Sequence, residues 1–212
     1  MIEISEIFKS IQGESTFAGK LCSFVRLKGC NLSCTWCDTS YTQTEMGQRK
    51  SVDSIIKELG KHQVSLVEIT GGEPLLQNQT PELCEKLLNQ GYTVLLETNG
   101  SRDIGVLPSG VRRIVDIKCP GSGMASRFLK SNIDLLVDSD ECKFVISDLN
   151  DARWAFEFIR KYDLISRCPV NISPVGAKGN LRELAEFIIE RNEDVRLNIQ
   201  LHKIIWGDRR GV

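Results

Sequence analysis

The chain has 212 residues, 41% of them hydrophobic and 26% charged, and a formal net charge of −1; this is a globular composition with room for one sizeable core, short of the roughly 250 residues of a complete eight-fold (β/α) barrel. The near-neutral charge offers no counterion-release drive for non-specific nucleic-acid binding, so no direct nucleic-acid partner is expected. No apolar run approaches the ~20 residues that span a bilayer, and residues 1–10, which include Glu3 and Glu6, lack the apolar stretch of a signal peptide; no membrane partner, a cytoplasmic location and reduced thiols are expected.

Residues 2–8 (IEISEIF) alternate and predict a short strand, while residues 10–15 (SIQGES) are polar, broken by Gly13, and predict a loop. A second alternating run, 22–28 (CSFVRLK), offers Phe24, Val25 and Leu27 to a core, and its pattern turns Arg26 outward to solvent. It delivers the chain to Gly29 and to Cys30-Asn31-Leu32-Ser33-Cys34-Thr35-Trp36-Cys37. After a polar stretch to Arg49, residues 51–62 predict an amphipathic helix, with Ser51 as N-cap and Val52, Ile55, Ile56 and Leu59 on one face. The run 64–70 (VSLVEIT) is a strand ending at Gly71-Gly72-Glu73-Pro74. Thr80-Pro81-Glu82 opens the next helix as N-cap, N1 proline and acidic first turn, and Gly91 closes it. Strands are expected at 92–97, 113–117, 142–146, 169–173 and 195–201. Further helices are expected at 150–162, with Trp154, Ala155, Phe158 and Ile159 on its apolar face, and from an Asn180 cap to Arg191.

This alternation predicts parallel β/α units with right-handed crossovers. About seven strands against about four good helices predict an α/β fold, a shortened and open partial (β/α) barrel; with no linker or repeat, residues 1–212 read as one domain. Ligands in such folds gather at the carboxyl ends of the strands. Those ends carry the cysteine segment, 70–74 (TGGEP), 97–100 (ETNG), 116–118 (DIK), 143–147 (KFVIS), Ser173-Pro174 and 200–202 (QLH). Each loop alone is an ordinary turn sequence; together they predict one mouth.

Cys30, Cys34 and Cys37 are the centre of that mouth. A closed zinc site takes four ligands and an electron-transfer iron–sulfur cluster four cysteines, whereas three thiolates on a cubane cluster leave one iron free to bind something else. A zinc loop with a distant fourth ligand, or three merely packed cysteines, is the alternative. Cys22, Cys84, Cys119, Cys142 and Cys168 are scattered and read as small buried apolar side chains.

Cys-x3-Cys-x2-Cys with an aromatic residue before the last cysteine resembles the signature loop of radical S-adenosylmethionine (SAM) enzymes. Gly71-Gly72-Glu73-Pro74 resembles their SAM-amine loop, where the absence of Cβ lets carbonyl oxygens approach an ammonium. Ile11-Gln12-Gly13-Glu14, Phe24-Val25-Arg26-Leu27, Gly29-Cys30-Asn31-Leu32, Cys37-Asp38-Thr39, Thr70 with its glycines, and the tail Gln200-Leu201-His202-Lys203 with Trp206-Gly207 are similar to the 7-carboxy-7-deazaguanine synthase family, over essentially the whole chain.

The resemblance implies a radical ring contraction of 6-carboxy-5,6,7,8-tetrahydropterin to 7-carboxy-7-deazaguanine with loss of ammonia, on the route to queuosine, in which a 5′-deoxyadenosyl radical takes hydrogen from C6 and SAM is regenerated. It implies a [4Fe-4S] cluster on Cys30, Cys34 and Cys37 and a Mg2+ ion on Thr39. It implies SAM along Trp36, Asp38, Gly72, Asp116, Ile117, Lys118, Lys143, Phe144 and Val145, and the pterin against Ile11, Gln12, Gly13, Glu14, Arg26, Thr70 and Val212. Arg26 suits the substrate carboxylate, which a guanidinium can bind bidentately, and Glu14 suits the guanidine-like edge of the pterin. A homodimer and a flavodoxin- or ferredoxin-type reductant are the implied partners. Residues 116–120 (DIKCP) depart from the Ser-Pro-Lys version common in the family, which leaves the SAM ribose contacts open; Cys119 beside them reads as structural. Two rivals share the cysteine loop. A glycyl-radical activase would act on a protein and has no need of the Gln12-Gly13-Glu14, Arg26 and Thr39 set; an iron–sulfur or zinc sensor would not be an enzyme at all.

Overall fold

The alternating runs pair into a nine-stranded sheet in a computed structural model, which describes residues 1–176 and 181–212. In chain order the elements are β1 (Ile2–Ile11), β2 (Leu21–Leu27), α1 (Tyr41–Thr44), β3 (Gln48–Lys50), α2 (Val52–Gly60), β4 (Leu66–Gly71), α3 (Thr80–Asn89), β5 (Thr93–Thr98), β6 (Arg112–Asp116), β7 (Glu141–Ile146), α4 (Leu149–Tyr162), β8 (Val170–Pro174), α5 (Leu181–Arg191), β9 (Arg196–Leu197) and α6 (Leu201–Trp206). The spatial order is β3-β1-β2-β4-β5-β6-β7-β8-β9.

From β2 to β9 every neighbouring pair is parallel. β1 departs from the all-parallel expectation and runs antiparallel to both β2 and β3. The loop between β1 and β2 is too short for a crossover, which takes a dozen or more residues, and it closes on itself through Gln12 N–H to Lys20 O (2.7 Å) and Gly19 N–H to Gln12 O (2.8 Å). β3 is a polar three-residue edge strand that carries no apolar signal. Helices α2 to α5 supply four crossovers, as the sequence implies; the β5–β6 and β6–β7 connections hold only short 3-10 turns.

Both faces of the sheet are covered, each for its own reason. Outside, α2 and α3 pack Ile55, Leu59, Leu83 and Leu87 onto Val25, Leu27, Ile69 and Leu96. Farther along, α4 and α5 pack Ala155, Phe156, Ile159 and Leu184 onto Val115, Phe144 and Ile172. Inside, the amino-terminal ends of the strands hold an apolar plug of Cys22, Phe24, Val64, Leu66, Leu95 and Ile114, with Phe8 stacked on Phe24 at 5.0 Å between centroids. Because side chains alternate along a strand, the next inward positions toward the carboxyl ends are Arg26, Glu68, Thr70, Glu97, Asp116 and Lys143. The plug thus floors a polar chamber.

Ser51 caps α2 by accepting from Ser54 N–H. Thr80 does not cap α3: the helix begins at Thr80 itself, Gln79 is the flanking residue, and the Thr80 hydroxyl donates instead to Pro74 O at 2.7 Å. The expected strand 195–201 is mostly something else. Only Arg196 and Leu197 pair as β9; then Leu201 N–H is captured by Gly13 O at 2.9 Å and the chain turns into α6. The expected Asn180 cap lies outside the described residues. All eight cysteines are free, and Cys22, Cys84, Cys119, Cys142 and Cys168 are buried as expected. Among the described residues no helix is long and apolar enough to cross a membrane.

Candidate active site at the barrel mouth

The carboxyl ends of the parallel strands enclose a cavity of about 300 Å3 above the plug. It is lined by Ile11, Gln12, Gly13, Glu14, Arg26, Cys30, Cys34, Trp36, Cys37, Asp38, Thr39, Thr70, Gly72, Asp116, Lys118, Lys143, Val145 and Val212. Two expected SAM contacts are not brought there. Ile117 and Phe144 are fully buried in the outer core against α4, because alternation turns them away from the face that carries Asp116, Lys143 and Val145. Only their backbone can border a ligand. Arg26 corrects the sequence reading in the opposite sense: it points into the cavity. Both faces of β2 are covered, so a charged residue within it has no solvent side to seek.

The cysteine segment leaves β2 through Gly29, whose φ of +88° suits a residue without Cβ. It is pinned from three sides. Gly29 N–H donates to Thr42 O at 2.9 Å, Glu73 N–H donates to Gly29 O at 2.8 Å, and Thr35 N–H donates to Ser122 O at 3.2 Å. The three thiols are half-buried and free. Burial pushes Cys30 and Cys34 above the ordinary thiol range, and Lys118 opposes the rise at both.

The loop after β4 packs directly on this segment. A Cβ on Gly72 would strike Gly29 O and lie 2.7 Å from Cys30 Cβ. Glu73, fully buried, holds the loop in place: Oε1 accepts from Leu75 N–H and Thr98 Oγ1, each at 2.9 Å, and Oε2 accepts from Asn99 N–H at 2.7 Å. Asn99 in turn donates to Asn31 Oδ1 at 3.3 Å. The Thr98-Asn99-Gly100 turn is therefore a buttress for the cysteines.

Charged pairs organise the chamber. Lys143 is paired with both Glu14 and Glu97, the latter at 2.9 Å. Burial alone would lower its pKa, but Glu14, Glu97 and Asp116 outweigh it and keep the ammonium charged. Thr70 Oγ1 donates to Glu97 Oε2 at 3.2 Å. Lys118 pairs with Asp116 Oδ2 at 2.6 Å, leaving Asp116 Oδ1 buried and without a partner among the described residues. At the rim, Arg26 Nε donates to Glu6 Oε1 at 2.7 Å, which Tyr41 OH also approaches at 2.7 Å; its terminal nitrogens make no hydrogen bond among the described residues. Thr39 Oγ1 lies 3.5 Å from Gly71 O. Burial raises the Asp38 carboxyl, but Lys203 at 2.9 Å, with Lys143 and Arg26 behind it, brings it below the ordinary range.

The C-terminal segment closes one side. A Cβ on Gly13 would collide with His202, and Gln200 Nε2 donates to Glu14 Oε1 at 2.6 Å. Arg210 pairs with Glu45 at 2.8 Å and sits 3.6 Å over the Tyr41 ring. Glu14 lines the cavity with Oε1 taken by Gln200 and with Lys143 against Oε2, a buried oxygen that has no hydrogen-bond partner among the described residues.

A model of the radical SAM superfamily matches residues 24–119. The 7-carboxy-7-deazaguanine synthase of Koribacter versatilis is 44% identical over 97% of this chain and 97% of its own length; that of Chlorobaculum tepidum is 40% identical over 100% of this chain and 97% of its own. The chain belongs to the 7-carboxy-7-deazaguanine synthase family. The crystal structure of QueE from Escherichia coli shares the fold, with a TM-score of 0.77 at 24% identity, covering 95% of this chain and 94% of that one.

The residues of this family member fit the cofactors that its superfamily uses. Three thiols on one wall suit a cluster, whose irons take one thiolate each. Gly72 lines the cavity while its missing Cβ lets the loop pack against Gly29 and Cys30, and the unpartnered Asp116 Oδ1 offers an acceptor to a polar cofactor. Glu97 and residues 200–202 lie at the mouth, as their strand-end positions imply, and Glu68 joins them without standing in any motif. The signal for Glu68 is a lone carboxylate inside the apolar run VSLVEIT, at inward parity with Thr70.

Proposed function

We propose that this protein catalyses the radical SAM ring contraction of 6-carboxy-5,6,7,8-tetrahydropterin to 7-carboxy-7-deazaguanine, with loss of ammonia, in queuosine biosynthesis. The observation that carries the reading is one chamber bringing the three free cysteines and Gly72 together with the Gln12-Gly13-Glu14 loop, Arg26 and Thr70, in a member of the synthase family. When bound, a [4Fe-4S] cluster on Cys30, Cys34 and Cys37 and SAM beside it supply the 5′-deoxyadenosyl radical. The chain's own part is positioning and exclusion of water. Arg26 takes the substrate carboxylate with the guanidinium nitrogens that Glu6 leaves free. Lys143 neutralises Glu14 and Glu97 beneath the ring. Trp36, Asp38, Gly72, Asp116, Lys118, Lys143 and Val145 border SAM.

Thr39, whose Oγ1 lies beside Gly71 O at the cavity, would hold a Mg2+ ion with water and the substrate completing its shell; few protein ligands suit an ion that keeps much of its hydration. The chain acts as one radical SAM domain, a reading supported by a sheet that draws strands from residue 2 to residue 197. It works in the cytoplasm as a homodimer, and a flavodoxin- or ferredoxin-type protein reduces the cluster. The glycyl-radical activase reading leaves the Gln12, Glu14 and Arg26 arrangement without purpose.

The test is an anaerobic assay of reconstituted enzyme with reductant, SAM, Mg2+ and the tetrahydropterin. Mass spectrometry should find 7-carboxy-7-deazaguanine at many turnovers per SAM. Cys34→Ala should lose both the visible cluster absorption and the product. An intact cluster that cleaves SAM slowly and yields no product would sink the substrate assignment.

A further inference from the structure

Glu68 on β4 is 3% exposed and lines the chamber. Among the strand carboxyls that line the cavity, Glu6 has Arg26, Glu97 has Lys143 and Asp116 has Lys118; Glu68 has no cation within salt-bridge reach among the described residues. Its hydrogen-bond partner is Gln12 Nε2, which reaches Oε2. Oε1 has none among the described residues. Gln12 cannot turn its amide round, because its Oε1 accepts from Glu14 N–H at 2.5 Å and a backbone amide only donates. Glu68 is thus a carboxyl oriented from one side and left open on the other.

The register supplies a length. Phe24 pairs with Glu68 and Arg26 with Thr70, so Glu68 lies two residues deeper than Arg26, roughly 7 Å along the strand direction. A ligand spanning the two carries a carboxylate at one end and N–H donors at the other. Burial, with Glu97 and Glu14 nearby, raises the Glu68 carboxyl well above its ordinary range; a pair of incoming N–H donors supplies what its charged form lacks. A ring that presents a carbonyl oxygen there instead meets an acceptor with an acceptor.

We infer that Glu68, oriented by Gln12, is the specificity-determining residue for the 2-amino, N3–H edge of the pterin, while Arg26 holds the carboxylate at the opposite end. This rests on the synthase reading above and moves the edge-reading role from Glu14 to Glu68.

The experiment is equilibrium binding to reconstituted holoprotein with SAM and Mg2+ but no reductant, so that nothing turns over. The probes are two fluorescent oxidised compounds, 6-carboxypterin and its 2-oxo counterpart 6-carboxylumazine. Wild type should prefer the 2-amino compound. Glu68→Gln should weaken 6-carboxypterin by about 10- to 100-fold, the range for a lost hydrogen bond to a charged group, and narrow or reverse the preference, since its amide N–H2 can donate to the 2-oxo group. Glu68→Asp should bind more weakly yet keep the wild-type preference, which a merely structural role would not produce. Glu68→Gln with wild-type affinity and preference would overturn the inference while leaving the synthase reading standing. If wild-type holoprotein neither binds 6-carboxypterin nor converts the tetrahydropterin, the synthase reading falls and takes this inference with it.

Discussion

A buried carboxyl without a salt-bridge partner is a cost to the folded chain; at Glu68, burial and the nearby Glu97 and Glu14 outweigh the opposing pull of Lys143 and the Gln12 hydrogen bond, which makes that cost measurable. Its folded pKa lies above the unfolded value of about 4.3. The folded chain therefore holds the proton more tightly than the unfolded one. Its favourable contribution is complete below that unfolded pKa and is lost as pH rises through the folded pKa. Glu68→Gln removes the titration and keeps the shape, so it should be more stable than wild type at neutral pH, by roughly 1–3 kcal/mol. The gap should widen as pH is raised in thermal melts from the unfolded value of about 4.3 upward; a gap that stays flat or inverts from there would show that the folded chain does not hold the Glu68 proton more tightly. Thr39 offers a second test at this scale. Its hydroxyl faces the cavity beside Gly71 O, so Thr39→Ala should keep the cluster and SAM binding but blunt the activation by Mg2+. An unchanged metal titration would remove Thr39 as a ligand. These two residues also mark how differently sites announce themselves. Thr39 is legible because it follows the last cysteine in a motif, whereas Glu68 stands in no motif and gains meaning only when Gln12 is seen against it.

Among the elements, the connection after β4 has the largest reach. Glu73 joins it to the end of β5, and Asn99 at that end supports Asn31 beside Cys30. Glu73→Ala strands two backbone N–H groups and the Thr98 hydroxyl in a dry interior. It should cost about 3 kcal/mol or more in urea unfolding and lower the iron retained after reconstitution. Unaltered iron content would separate the buttress from the cluster. The strand and helix runs were readable because their apolar residues recur at the right period, and Ser51 caps α2 as its sequence implies. The region after β9 misled for a physical reason. Its alternation resembles a strand, but Asn198 Nδ2 donates to Ser15 O at 3.2 Å and Gly13 O captures Leu201 N–H, so the chain leaves the sheet to dock on the first loop.

Over the whole molecule, the first and last segments meet across the mouth. Lys203 reaches Asp38, Gln200 reaches Glu14, Arg210 reaches Glu45, and Val212 lines the cavity. Closure of this kind excludes water and commits the bound substrate. Removing residues 209–212 should leave cluster absorption intact, raise KM for the pterin several-fold, and increase 5′-deoxyadenosine released per product formed. Unchanged coupling between SAM cleavage and product would show that the tail does not seal the site.

The amino-acid sequence carries the α/β class, the four covering helices and the cysteine and glycine loops, because these depend on short-range order: period, capping, and ligand spacing along a few residues. It also carried the likeness to the synthase family. Which face of each strand looks inward follows from the packing of the folded sheet. In a sheet covered on both sides, apolar alternation does not distinguish an outer core from an inner chamber, so Arg26 turned in while Ile117 and Phe144 turned out. The pairing of charges was likewise beyond the sequence. Glu14, Glu97 and Lys143 lie on separate segments, and the barrel's curvature brings them together near Glu68, a carboxyl with no salt-bridge partner among the described residues.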